Sequence, residues 1–419
     1  MSLLTDNSAF SRVTALAARR GVHAAFAWLH LNPKRIMDWQ TELVQIPAPL
    51  NSEQARGEWI AQRFAEAGLR RIETDAAGNV YGVLEAQDLP PESSGPVVVV
   101  SAHLDTVFPP GTRLDPVVEG EKLYAPGACD NGAGVVGMLA LAFALAESKA
   151  SVRVPLVFMG NVGEEGEGDL RGMRHLYREN PLAGRIAAHI VMDGAGVDSA
   201  VTQALGSRRF HVAVRGPGGH SFTDAGTPNP IAALAMALAA LAETPLPAEP
   251  RTTLSLGTIH GGTSVNSIPE SAEATIDFRS TSVDELVRLE VALHRNVEDA
   301  VDHCNLKAKI AGADQRGRLE FAIRKIGDRP AAKLAEDSAL LETLRAVDRH
   351  MGLKTELRLG STDANLPLSV GVQSLSIGAG GDGGGAHTLA EWYSARDREL
   401  GLRRVLLLIL AMVEWAHDQ

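Results

Sequence analysis

The sequence predicts an α/β protein: a mostly parallel sheet with helices on both faces, interrupted by an inserted α+β domain. Three observations point there. Towards both ends of the chain, short apolar runs bounded by turn residues alternate with helical runs, as in buried parallel strands joined by crossover helices. From about Ser207 the pattern switches to strict apolar/polar alternation, which marks half-buried antiparallel strands. A chain of 419 residues also exceeds the usual single domain of roughly 100 to 200 residues.

The buried strands are read at Pro96 to Ser101, Val154 to Gly160, Ala188 to Met192 and Val372 to Ile377. The clearest helix is Gly134 to Glu147, apolar on nearly every face and therefore internal, with Asp130 and Asn131 before it as capping candidates. In the middle region, Phe210, Val212 and Val214 form one alternating run, Leu254 and Leu256 a second, and Ala274, Ile276 and Phe278 a third. Helices Ile231 to Glu243 and Val283 to Asn305 interleave with them, and a strand-like run covers Leu319 to Ile326. The helix Leu340 to Met351 and the strand before a glycine-rich stretch resume the α/β pattern. The expected domains are 1–206 with 329–419, and an inserted 207–328. The N-terminal segment reads as an amphipathic surface helix without the parts of a secretory signal. Val405 to Val413 is apolar but far shorter than the roughly 20 residues of a membrane span, so it reads as a buried helix.

Hydrophobic residues at 45% and charged residues at 22% describe a globular chain. A formal net charge of −11 offers no basic footprint for nucleic acid or an anionic membrane. The two cysteines, Cys129 and Cys304, build neither a disulfide framework nor a cysteine zinc site, and a cytoplasmic location is expected.

In open α/β sheets, ligands bind beyond the carboxyl ends of the strands. PVVVVSAHLDTV puts His103 and Asp105 just past one strand, VPLVFMGNVGEEGEGDL puts Glu164 and Glu165 past a second, and AHIVMDGAG puts Asp193 past a third. VQSLSIGAGGDGGGAHTLAEW leads from a fourth to His387, while Asp130, in APGACDNGAG, stands at a helix start facing the same region. Singly, each has an ordinary explanation: a loop histidine, a solvated glutamate pair, an N-cap. Five potential ligands at one sheet edge point instead to metal. Imidazoles with carboxylates suit zinc, with manganese or cobalt as other occupants. Asp105, two residues after His103, is placed to orient that imidazole.

With these motifs the chain resembles the dinuclear zinc hydrolase family that includes bacterial glutamate carboxypeptidase, peptidase T, acetylornithine deacetylase, succinyl-diaminopimelate desuccinylase and aminoacylase. SAHLDTV, GACDNGAG, GEEGEG, VMDG, PGGHS and GGAHT occur in the family's order over nearly the whole chain. The resemblance implies a zinc-exopeptidase-like catalytic domain and a ferredoxin-like lid and dimerisation domain. It implies two divalent metal ions per chain, with Asp130 bridging them, His103 and Asp193 on one, and Glu165 and His387 on the other. Glu164 becomes the general base that takes a proton from the attacking water and passes it to the leaving nitrogen, a task for a carboxylate not used as a ligand. A cis peptide after Asp130 is also implied. In the inserted domain, His220 matches a residue that stabilises the oxyanion in the other subunit's site, which implies a homodimer. Asn266 and Arg279 match lid positions that approach substrate, and Arg329 one that can bind a substrate carboxylate. The GSTDAN segment and the glycines at 383 to 385 are expected to shape the pocket with backbone groups. Aspartate at position 193 favours hydrolysis of a small peptide, and the alternative is an N-acyl amino acid deacylase.

Two other classes compete. GAGGDG, from Gly378 to Gly383, fits a dinucleotide fingerprint, but such a fingerprint opens directly into a helix, and helical periodicity restarts only near Ala395. A non-catalytic binding protein on the same fold would be expected to have lost a ligand or the base, and none is missing. Cys129 departs from the small or polar residue expected beside Asp130, and reads structurally as a buried small side chain.

Overall fold

The computed structural model describes residues 2–87 and 94–419, with side chains from Ala9 onward; Met1 and residues 88–93 lie outside the described residues. The chain divides into two compact units, Met1–Ala204 with Lys333–Gln419, and Leu205–Ala332. Among the described residues no helix is long and apolar enough to cross a membrane.

The first unit is built on a mixed sheet whose strands follow the order Arg70–Thr74, Val80–Leu84, Leu156–Asn161, Val97–His103, Ile186–Met192, Gln373–Ile377 and Ser199–Ala204. The four from Leu156–Asn161 to Gln373–Ile377 run parallel. Val80–Leu84 is antiparallel on one flank and Ser199–Ala204 on the other. Val97–His103 is buried at every position, which is why it lacks polar alternation: a parallel strand covered on both faces has no solvent side. Val97, Val99, Val157 and Met159 pack with Leu170, Met173 and Leu176 around helix Arg171–Arg178. By the two-residue period of a strand, Val98 and Val100 face the opposite side, where helices Gly132–Ser148 and Arg398–His417 pack on the same strand.

Helix Gly132–Ser148 is buried from Gly132 to Leu145, which explains its lack of a polar stripe. Asn131 caps it, with Oδ1 accepting from Gly134 N, whereas Asp130 takes no part in the cap. The N-terminal expectation of a single surface helix is corrected. Helices Ser2–Ala17, Arg20–Leu31 and Pro33–Val44 follow one another, and the second buries Val22, Ala25, Trp28 and Leu29. Trp28 stacks on Phe143 of the central helix and Trp39 packs against it at a tilt, with ring centroids 5.9 and 4.8 Å away. Such ring pairs contribute roughly 0.5–1.5 kcal/mol each beyond area burial, enough to draw this segment inward.

A polar chain runs along the face of the sheet that helix Arg171–Arg178 covers. Tyr177 Oη lies 2.7 Å from His189 Nδ1, and His189 Nε2 lies 2.8 Å from Ser101 Oγ. Burial pushes the His189 pKa down to about 3, so the ring is neutral. Ser101 and His189 are fully buried, which makes this a satisfied structural network rather than a nucleophile with its base.

The second unit carries a four-stranded antiparallel sheet in the order Thr252–Gly261, Ser271–Ser280, Gly206–Arg215, Glu320–Arg329. Helices Pro230–Ala242 and Val283–Ile310 pack on it. In chain order this is β-α-β-β-α-β, the ferredoxin-like arrangement. Phe210, Val212, Val214, Ala274, Ile276 and Phe278 point into its core as their alternation requires. Leu256 does not: it pairs with Ile276 but lies on the edge strand and is exposed.

Candidate metal centre and active site

Parallel register carries the carboxyl ends of four strands to one edge of the sheet. His103 stands opposite Asn161, and Ile377 opposite Met192. From that edge project His103, Glu164 and Glu165, Asp193, and the loop that ends in His387. Asp130 enters from the start of the central helix. Its two carboxylate oxygens face different imidazoles: Oδ1 is 3.1 Å from His103 Nε2, and Oδ2 is 3.0 Å from His387 Nε2. Asp193 Oδ1 lies 3.8 Å from His103 Nε2, and Glu165 Oε1 lies 3.2 Å from His387 Nε2. Three sets of donor atoms each fall within 4.8 Å of one another: His103, Asp130 and Asp193; Asp130, Glu165 and His387; His103, Glu164 and Glu165.

The electrostatics of the cluster call for added positive charge. Burial, reinforced by the charges of Asp130 and Glu164, pushes Glu165 up to about 8 even though both histidines oppose it. Burial works against ionisation of Asp130 too, but hydrogen bonds to His103 and His387 hold it well below the usual carboxylate range. The bond to Asp130 raises His387 to about 9. Carboxylates this crowded are stabilised by bound protons or by a cation. Imidazole nitrogens and carboxylate oxygens without a thiolate fit a divalent ion of the zinc, cobalt or manganese type.

Several side chains hold this arrangement. Asn131 Nδ2 donates to Met192 O, and its Oδ1 accepts from Gly134 N and Gly194 N, so one amide joins the helix start to the Asp193 loop. Gly134 has to be glycine, since a Cβ there would collide with Asn131 Oδ1 and Met192 O. The Asp130–Asn131 peptide is cis. For Asp105 the expected role is corrected. His103 Nδ1 is 3.1 Å from the Asp105 backbone carbonyl but 3.8 Å from its carboxylate. The carboxylate instead accepts from Glu164 N and Glu165 N at 3.1 and 2.7 Å, fixing the turn that presents both glutamates.

Three residues were not anticipated from the sequence. Glu391, four positions after His387, accepts from Cys129 N and Asp130 N with one oxygen and from Gly127 N with the other, at 2.7–2.8 Å. It therefore ties the His387 loop to the Asp130 loop. Asp363 is fully buried, accepts from Asn161 Nδ2 at 2.7 Å, and is pushed well above its usual range by burial and then by Glu164. It lies in GSTDAN, a segment expected to act through its backbone. Arg56, buried, donates to Ile46 O and Leu104 O and anchors the chain just past His103. Packing explains two of the three glycines at 383 to 385. Gly383 and Gly384 belong to strand Asp382–Gly384, paired with Trp392–Ser394. A Cβ at Gly383 would strike Cys129 Sγ, and one at Gly384 would press on the Trp392 indole. Cys129 is thus a buried packing residue, its thiol pushed up to about 12 chiefly by burial. Since GAGGDG runs into that strand and not into a helix, it lacks the helix N-terminus a dinucleotide fingerprint needs.

The lid candidates lie in the second unit. His220 ends strand Gly219–His220, paired with Ser267–Ile268. Its Nδ1 accepts from Phe222 N and Thr223 N at 3.2 and 3.3 Å, which leaves the ring proton on Nε2 as an outward donor. Asn266 stands beside it, its carbonyl accepting from Ser221 N. Arg279 and Arg329 pair with Ser207 from opposite sides, so all three form one row across the sheet. Arg279 also bonds Asp277 at 2.8 Å, while Arg329 is buried.

A parallel sheet edge that gathers two histidines and four carboxylates around shared donor positions defines a hydrolase of the metallopeptidase class. The chain belongs to peptidase family M20/M25/M40, whose model matches residues 99–411. It is 24% identical over 365 residues to the protein YqjE of Bacillus subtilis (strain 168), covering 84% of this chain and 91% of that one. It is 26% identical over 328 residues to a probable carboxypeptidase of Aspergillus fumigatus, covering 71% of each. Its fold matches aminopeptidase PepT from Bacillus cereus with a TM-score of 0.71 at 20% identity, over 91% of this chain and 99% of the other. It also matches the YXEP protein of Bacillus subtilis, a dinuclear metal binding peptidase, with a TM-score of 0.60 at 17% identity, over 92% and 99%.

Proposed function

We propose that this chain hydrolyses the amide bond of a small peptide at two divalent ions, zinc first among the candidates, with Glu164 as general base. The carrying observation is the division of Asp130: its two oxygens face two different imidazoles, and each imidazole has a second carboxylate beside it. A carboxylate so placed would be the ligand that both ions share. On this reading His103 and Asp193 complete one ion, and Glu165 and His387 the other. Bound there, the ions would supply Lewis acidity towards the substrate carbonyl and acidify water.

The chain's own residues do the rest. Glu164 takes the proton of the attacking water and returns it to the leaving nitrogen, which has to depart as an amine. Asp105 holds Glu164 in place through its backbone N–H. His220, with its proton on Nε2, suits an oxyanion donor acting from the partner subunit of a homodimer, with Asn266 next to it. Arg329 is the residue for a substrate carboxylate, and Arg279 a lid residue that approaches substrate. An aminopeptidase and a probable carboxypeptidase among the relatives support a peptide over an N-acyl amino acid, as does Asp193.

The test is a screen of metal-reconstituted protein against di- and tripeptides on one side and N-acetyl and N-succinyl amino acids on the other. Cleavage of peptides, abolished by a chelator and restored by zinc, cobalt or manganese, is expected. Turnover confined to N-acyl amino acids would replace peptidase by deacylase, and no turnover on either set would remove the catalytic reading.

A further inference from the structure

Next to the metal-site edge, and formed wholly by the first unit, lies a cavity of about 910 Å³ lined by Val107, Phe108, Val117, Tyr124, Leu389 and His387, among others. His387 belongs both to this wall and to the donor cluster, so a ligand in the cavity sits within one side chain of the reacting centre. The wall is unusually apolar for exposed surface. Leu389 is 71% exposed and Val117 51%, and Val107 and Tyr124 are exposed too, while Phe108 is buried behind them. Scattered apolar residues on a surface need no explanation, but a contiguous set in a concavity beside a reactive centre marks a binding site.

The cavity is also built rather than incidental. Val117 and Tyr124 face each other across a hairpin, and Tyr124 pairs in turn with Trp392. Leu389 stands two residues after His387 on a turn closed by Thr388 N and Oγ1, both donating to Gly385 O. One short turn therefore carries a candidate ligand and a pocket wall. The charges at the rim cancel: Arg113 is paired with Asp115, and Glu391 is taken up by three backbone N–H groups. Apart from His387 at the inner end, the wall offers a charged side chain no unpaired partner, and much of it would reward an apolar one.

The geometry points to a specificity subsite: the cavity takes an apolar or aromatic side chain of the residue adjoining the scissile amide, and Val117, Tyr124 and Leu389 select it. This rests on the amide-hydrolase reading above. The experiment compares kcat/KM for Leu-Gly, Gly-Leu, Phe-Gly, Gly-Phe, Asp-Gly, Gly-Asp and Gly-Gly on the metal-reconstituted wild type and on Leu389→Asp and Val117→Asp. Both positions are more than half exposed, so the fold tolerates the change. An apolar peptide is expected to exceed Gly-Gly by about ten- to a hundredfold in the wild type, the range that a hydrophobic pocket discriminates. In each variant that ratio should fall by about tenfold or more. Equal values for apolar, acidic and glycyl peptides, or an apolar-to-glycyl ratio unchanged in both variants, would overturn the subsite while leaving the hydrolase reading intact. If no amide is cleaved, the hydrolase reading fails, and calorimetry with leucine hydroxamate against glycine hydroxamate still decides the cavity. Tighter leucine binding that is lost in Leu389→Asp upholds it, and equal binding overturns it.

Discussion

Glu164→Gln is expected to keep the fold and the bound metal and to lose turnover by about 10²- to 10⁴-fold, towards the upper end because one carboxylate serves two proton transfers. The amide is nearly the size of the carboxylate but accepts no proton at neutral pH. Glu165→Gln should behave differently, since it removes an anionic donor that lies 3.2 Å from His387 Nε2 and should weaken one ion as well as the rate. Elemental analysis alongside steady-state kinetics separates the neighbours. A Glu164→Gln enzyme within a few-fold of wild type would show that the proton is moved by another group.

His220→Ala should cost about 10²- to 10³-fold in kcat if its Nε2–H steadies the oxyanion, the usual loss for one such donor. The proposed trans arrangement makes a sharper demand. A heterodimer of a Glu164→Gln chain with a His220→Ala chain, isolated through two different affinity tags, contains one intact composite site: the second chain's Glu164 with the first chain's His220. Such heterodimers should show roughly half the wild-type rate although each parent homodimer is nearly inactive. Activity no higher than the parents would mean that His220 acts within its own chain or not at all.

The sequence was most legible where a single segment carried its own signal. Val97–His103 reads as a buried strand because every one of its positions is buried, and the chemistry-bearing residues follow such strands directly. Residues that act by reaching across the chain carry no such signal. Glu391 serves N–H groups more than 260 positions earlier, and Asp363 meets Asn161 across 202 positions; neither contact leaves a spacing to read. Asp105 shows a subtler limit. Its position two residues after His103 predicts contact with the imidazole, but not that the carbonyl makes it while the carboxylate turns to Glu164 and Glu165. The flank strand Val80–Leu84 escaped notice because Gly82 breaks its apolar run. That glycine is required, for a Cβ there would press on Leu69 and Phe64.

The central claim is that Asp130 is shared by two ions, and metal counting on purified, reconstituted protein tests it most directly. Wild type should hold two divalent ions per chain, His103→Ala and His387→Ala about one each, and Asp130→Ala close to none, because only the bridging carboxylate serves both positions. A wild type that binds a single ion, or an Asp130→Ala chain that retains both, would contradict the account.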